Sequence, residues 1–373
     1  MPGPCRATTL ESFSGYLALS AERVTTASIP VHRASPSYIW EEEVFTMICI
    51  RKAITTALLV VGIVPILAAC SSTGGVHSNA AATGNLPRLR IAMITHQAPG
   101  DTFWDIIRRG AEAAAAKDNV QLIYSNDQNA SGQAVLIQNA IDQRVDGIAV
   151  TLPTPDALAG EIRKAQSAGI PIVAFNAGFD AWKRLGIPMY VGQDEALAGR
   201  AAGQRLNREG ARHVLCVIQS QGEVQLEARC TGVKQGLTSG RTEKIYVNGV
   251  DMPSVRATIT AKLQQDPSID YVVALGAPFA LTIVQSAKAA GSKAKVATFD
   301  TNKQLVGAIE NGSVSWAIDQ QPYIQGYEAI DSLWLDITNS DVLGGGQPLL
   351  TGPTFIDAHN IAAIARYAAR GTR

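Results

Sequence analysis

Ile94-Thr95-His96-Gln97-Ala98-Pro99-Gly100-Asp101-Thr102-Phe103-Trp104-Asp105 lies where one hydrophobic pattern gives way to another. Before it, Leu89 to Ile94 is a short, mostly apolar run that reads as a buried strand. After it, Phe103 to Lys117 is Ala-rich and amphipathic and reads as the first helix. A buried strand that turns through Pro99-Gly100 into a helix suits an open α/β sheet, in which ligands bind beyond the carboxyl ends of the strands. This loop offers a carboxylate (Asp101), two adjacent rings (Phe103 and Trp104) and a histidine (His96). Flat apolar rings beside hydrogen-bonding groups suit a sugar, with its C–H faces and hydroxyl rim. The same residues also have a purely structural reading. Asp101 or Thr102 would be the helix N-cap, Thr102 and Asp105 a variant capping box, and the rings part of the core.

Outward from this loop the pattern repeats. Strands are predicted over Val120 to Tyr124, Gly147 to Leu152 and Pro171 to Phe175, with helices over Ser131 to Gln143 and Asp156 to Ala168. Further strands follow at Val214 to Ile218, Lys244 to Val247, Tyr271 to Leu275, Lys295 to Phe299 and Ser315 to Ile318, most with helices between them. Buried strands without polar alternation, each followed by a helix, indicate parallel sheets covered on both faces. There are too many such units for one ordinary sheet, so two lobes are expected. An internal echo agrees: Ala165-Gln166-Ser167-Ala168-Gly169 precedes a strand ending Phe175-Asn176, and Ala287-Lys288-Ala289-Ala290-Gly291 precedes one ending Phe299-Asp300.

Composition removes several function classes. Basic and acidic residues balance at 32 each over 373 residues, which leaves no electrostatic footprint for nucleic acid. There is no nucleophile elbow, phosphate loop or Cys/His metal cluster, so neither an enzyme nor a bound cofactor is indicated. Asp127 to Gly132 starts like a calcium loop, but its twelfth position is Gln138 where the loop needs Glu. His213 and His359 read as structural.

The amino-terminal region reads as an address. Arg51-Lys52 precedes an apolar run to Ala69, and Leu67-Ala68-Ala69-Cys70 resembles a bacterial lipobox. This assigns 47–69 to a lipoprotein signal peptide, Cys70 to the lipid-bearing position and 70–87 to a Ser/Gly-rich tether. Met47 reads as the natural start, which makes 1–46 a leader that is not translated. The mature protein is then extracytoplasmic and anchored to the cell membrane. Of five cysteines, Cys216 and Cys230 remain in the folded part, either as a disulfide or as two buried thiols.

The order of the pieces over residues 88 to 365 resembles the sugar-binding proteins of bacterial ABC importers with the ribose-binding type of fold, the type I periplasmic binding proteins. The anchors are Phe103-Trp104, Tyr190-Val191-Gly192-Gln193-Asp194, Arg229 with Gly232, Thr298-Phe299-Asp300 and Ile318-Asp319-Gln320-Gln321-Pro322. The resemblance implies two doubly wound parallel-sheet (Rossmann-like) α/β lobes, 88–192 plus 321–349 and 193–320 plus 350–373, joined by a three-strand hinge. It also implies a monomer that closes on a carbohydrate or polyol and delivers it to a transporter permease and its ATPase. Presentation of the ligand to a sensor kinase or chemoreceptor is the alternative, and a secreted carbohydrate-active enzyme a more distant one. By position, Asp101 would bond sugar hydroxyls while Phe103 and Trp104 stack on the ring, with His96 as an addition. Asn176, Glu227, Arg229, Asp300 and Gln320 would complete the site. Asn176-Ala177 stands where pentose binders carry Asp-Arg, Glu227 where the ribose binder has Arg, and Gly276 where Asn is common. Ribose itself is therefore not expected. With Asp101, Glu227 and Asp300 against Arg229, the expected ligand is a neutral sugar, polyol or amino sugar, and not a sugar acid or phosphate.

Overall fold

The structure, a computed structural model, describes residues 88–373. The leader, the signal segment, Cys70 and the tether lie outside the described residues. The first sheet is laid down by β1 (Arg90–Thr95), α1 (Phe103–Lys117), β2 (Gln121–Asn126), α2 (Ala130–Asp142), β3 (Gly147–Val150), α3 (Pro155–Ser167), β4 (Ile172–Phe175) and β5 (Met189–Gly192). The chain then builds a second sheet through α4 (Glu195–Arg208), β6 (His213–Ile218), α5 (Val224–Gly236), β7 (Arg241–Tyr246), α6 (Met252–Gln265) and β8 (Tyr271–Ala274). That sheet continues with α7 (Ala277–Ala290), β9 (Lys295–Phe299), α8 (Lys303–Glu310) and β10 (Trp316–Asp319). The chain returns to the first sheet with α9 (Pro322–Asn339) and β11 (Leu349–Leu350), and ends on the second with β12 (Thr354–Asp357) and α10 (Ile361–Arg370).

The strand orders, β11-β5-β4-β3-β1-β2 and β12-β10-β9-β8-β6-β7, are the same arrangement used twice. All pairs are parallel except β12, which runs antiparallel along β10. Each sheet is covered on both faces, which is why its strands show no polar alternation. In β1, Ile91 and Met93 join the core under α1 and α9, whereas Ala92 and Ile94 join the core under α2 and α3. The echo in the sequence occupies equivalent places: β4 and β9 are third in their sheets. Asn176 and Asp300, the residues after them, share a left-handed backbone (φ 62° and 65°) that Asn and Asp tolerate better than most residues.

Two helix pairs set the spacing of the elements that carry the site. Along α4 and α5, a Cβ on Gly199 would stand 2.2 Å from the Arg229 carbonyl oxygen, and one on Gly232 2.5 Å from that of Ala196. The backbones touch because neither position has a side chain. Gly110 of α1 and Gly326 of α9 play the same part in the first lobe, each packed against the other helix's backbone. Cys216 of β6 and Cys230 of α5 form a disulfide with Cα atoms 5.8 Å apart, which ties α5 to the sheet beneath it.

Candidate ligand-binding cleft

The chain passes between the sheets at residues 193–194, 320–321 and 351–353, and side-chain amides knit these crossings together. Asn176 Nδ2 donates to Gln325 Oε1 (3.0 Å) and Gln320 Oε1 (3.3 Å). Gln325 Nε2 reaches Thr351 Oγ1 (3.0 Å), and Gln321 Nε2 donates to the Thr351 carbonyl (2.7 Å). Arg373 Nε lies 2.7 Å from Oδ2 of the fully buried Asp319.

In front of these crossings, at the carboxyl ends of the strands of both sheets, lies a cavity of about 520 Å³. His96, Asp101, Phe103, Trp104, Asn176, Arg229, Asp300 and Gln320 all line it. The loop after β1 is braced from β2: Tyr124 donates its hydroxyl to Gln97 Oε1 (2.9 Å), and Gln97 Nε2 donates to the Asp101 carbonyl (3.2 Å). Asp101 Oδ1 accepts the Phe103 N–H at 3.1 Å. Asp101 therefore makes the capping bond, while Thr102 occupies the N-cap position with no side-chain bond. Burial pushes the Asp101 carboxyl above its ordinary range, against the pull of that N–H. Trp104 is both core and cavity wall: it is almost fully buried, with Phe103 edge-on at 5.4 Å and His96 edge-on at 4.6 Å.

His96 links the two lobes. Its Nδ1 lies 2.8 Å from Thr151 Oγ1, and its Nε2 lies 3.1 Å from Gln225 Nε2 on α5, which also donates to Glu223 Oε2 (2.7 Å). An amide that donates to Nε2 requires that nitrogen to be unprotonated, so the proton is on Nδ1. Burial, helped by Arg229, lowers the His96 pKa to about 3, so the ring is neutral. The Val224 N–H donates to the Pro153 carbonyl (3.0 Å) and adds a backbone contact between the lobes.

Arg229, 3% exposed, is held from three sides. Its Nε and Nη2 donate to the two carboxylate oxygens of Glu195 (2.6 and 2.9 Å), its Nη1 donates to the Leu275 carbonyl (3.2 Å), and Asp300 Oδ2 stands 3.9 Å away. Its plane lies over the Phe299 ring at 4.7 Å. Burial works against the charge, but Glu195 outweighs it and keeps the guanidinium protonated well above its ordinary value. Asp300 accepts from Gln320 Nε2 at 2.7 Å, yet burial raises its pKa to about 7 against the pull of Arg229. Burial likewise raises Glu223 to about 7.

Glu227 is the correction. It does not line the cavity; its carboxylate pairs with Lys244 Nζ at 2.9 Å. The helix turns about 100° per residue, so Gln225 and Arg229, four apart, share the cleft face while Glu227 between them points away. Glu223 and Gln225 take the place expected for it, and Glu195 acts from behind as the counterion of Arg229. Of these, only Gln225 had a sequence signal, its helical spacing from Arg229. Among the described residues, His213, Glu243 and Asp266 have spacing that would suit a metal, but they lie at the amino end of β6, away from the cleft. Lys262 already pairs with Glu243 at 2.7 Å.

Several known proteins resemble this chain. The sequence profile of the periplasmic binding protein domain matches residues 91–339. A carbohydrate transporter protein from Acidothermus cellulolyticus, solved in complex with myo-inositol, is 63% identical. The match covers 77% of this chain and all of that one, with a TM-score of 0.76. A xylose/arabinose-binding protein of Sulfolobus acidocaldarius is 24% identical over 293 residues, 74% of this chain and 72% of that protein. A xylitol-binding protein of Mycolicibacterium smegmatis is 24% identical over 262 residues, 67% of this chain and 71% of that protein.

The shifted groups predict how stability depends on pH. Asp300 and Glu223, raised to about 7, hold protons in the folded state that the unfolded chain releases near pH 4, so their stabilising effect is lost as pH rises towards 7. His96, lowered to about 3, acts in the opposite sense below about pH 6.5, but it is one group against two. The melting temperature of the ligand-free protein is expected to fall from pH 4.5 to pH 7, and Asp300→Asn to flatten that slope. A melting temperature that climbs over this window would contradict the assignment.

Proposed function

The chain belongs to the periplasmic binding protein family, and from that we propose that the solute closed between its lobes is a cyclitol or a related neutral polyol, with myo-inositol the first candidate. Proteins of this family are extracytoplasmic solute receptors that hand their ligand to an ABC transporter permease, and this chain is a receptor of that kind. The observation that carries the ligand class is the state of Arg229. Its charge is already neutralised by Glu195, a residue of the protein, so an anionic ligand would find no free cation there. What the wall offers is acceptors. Asp101, Glu223 and Asp300 can accept hydrogen bonds from hydroxyls, and the carboxyls of Glu223 and Asp300, with pKa values near 7, can also donate one when protonated. The Trp104 and Phe103 rings suit the C–H face of a six-membered ring. The relative from Acidothermus cellulolyticus, with myo-inositol bound, supports the same ligand class.

We also place the protein at the outer face of a cell membrane through a lipid on Cys70, with the residues up to 87 as tether. This rests on the Leu67-Ala68-Ala69-Cys70 motif. In cells fed an alkyne analogue of palmitate, Cys70 is expected to be labelled and a Cys70→Ala chain to be unlabelled and released to the medium. An unlabelled, membrane-free wild-type chain would overturn the anchor.

For the ligand, isothermal titration with myo-inositol is expected to give saturable binding at a single site. Asp101→Asn replaces a charged acceptor at a position that has no part in the ion pairs, and should weaken binding about 10- to 100-fold. No heat with myo-inositol, together with strong binding of a pentose, would refute the proposal.

A further inference from the structure

The cavity is longer than one ring requires. Along the second sheet it runs past the ends of β10, β9, β8 and β6 to the edge strand β7, four strand spacings or about 19 Å. Across from it, the cavity reaches from Asn176 after β4 to Gln128 and Asn129 after the edge strand β2. The two halves differ in chemistry. Arg229 and Asp300 stand towards the lobe crossings, and Asp101 and Glu223, on the loops after β1 and β6, stand between them and the edge strands. Along the edge strands β2 and β7, in the outer half, the lining is uncharged, with amides from Gln128, Asn129 and Asn248, joined by that of Gln219 after β6, and an apolar wall from Met252 and Phe279.

Two glycines shape that outer half. A Cβ on Gly249 would lie 3.2 Å from the Phe279 ring and 2.6 Å from the Gln219 carbonyl oxygen, so the turn after β7 closes down on both only because Gly249 has no side chain. A Cβ on Gly276, just after β8, would lie 3.3 Å from the Phe279 ring and 3.8 Å from Gln219 Nε2, so both side chains pack close against its backbone in the cavity wall. Gln219 Oε1 is buried with no hydrogen-bond partner, an arrangement that costs free energy unless a donor completes it.

We infer that the outer half is a second subsite, and that the physiological ligand carries a second neutral ring joined to the first, as in a glycoside of a cyclitol. This rests on the reading of the inner half as a polyol site. The amides match the hydroxyls of the second ring and Phe279 its C–H face, and the absence of charge matches a neutral substituent.

The test is titration of the full chain with myo-inositol and with galactinol, the α-galactoside of myo-inositol. Galactinol is expected to bind at least as tightly as myo-inositol. Asn248→Ala and Gln219→Ala should each weaken galactinol about five- to tenfold and leave myo-inositol within about twofold. Galactinol binding that is absent, or more than about tenfold weaker than that of myo-inositol, overturns the second subsite. So does an equal loss of both ligands in the variants. Galactinol binding without myo-inositol binding would support the two-ring ligand and sink the single-ring reading, and binding of neither would sink both.

Discussion

A guanidinium shut away from water must be neutralised where it lies, and much of this cleft depends on how that is done for Arg229. Glu195 supplies both carboxylate oxygens from the first turn of α4, immediately after the chain first leaves the first sheet. Gln193, within that crossing, donates to the same carboxylate at 2.8 Å. The two helices come close enough for this because Gly199 and Gly232 leave their backbones in contact, and the Cys216–Cys230 disulfide holds α5 down on β6. Removing one partner of such a buried pair typically costs about 3–5 kcal/mol. The pair therefore ties the architecture of the second lobe to the charge of the site. A cation already satisfied by the protein does not recruit an anion.

The same arrangement gives closure a physical basis. The amides of Asn176, Gln320, Gln321 and Gln325 with Thr351 make the crossings a hydrogen-bonded unit, and neutral His96 meets Gln225 from the opposite lobe. The Arg109 guanidinium of α1 also reaches the neutral Arg370 carbonyl of α10, so among the described residues no ion pair locks the lobes together, and a ligand that bonds to both can draw them closed. Such closure around a ligand by hinged domains is a common mode of solute capture.

Much of this was legible in the sequence. Continuous apolar strands alternating with helices specify doubly wound sheets, and the Ala-x-x-Ala-Gly echo marked two equivalent strand ends, Asn176 and Asp300, that both reach the cleft. The edge of the second sheet was harder to read. β7 starts at Arg241, three residues before the expected Lys244, because an edge strand carries polar residues and lacks the apolar signal. β11 and β12, of two and four residues, carry too little pattern to stand out. The misassignment of Glu227 was one of helical phase. Position in the family resemblance put Glu227 near the site, but only the 100° turn per residue decides that Gln225 and Arg229 face the cleft and Glu227 faces Lys244. Glu195 was invisible as a site residue because its role is to neutralise a group 34 positions away in the chain.

The central claim is that Arg229, the guanidinium buried in the cleft wall, is already neutralised, so the proposed ligand is not an anion. It is tested most directly by a matched pair of ligands, myo-inositol and myo-inositol 1-phosphate, titrated into the same protein at pH 7.5. The account predicts that the phosphate binds at least about 100-fold more weakly, because it brings a dianion among the carboxylates of Asp101, Glu223 and Asp300 with no free cation to meet it. Equal or tighter binding of the phosphate would contradict it.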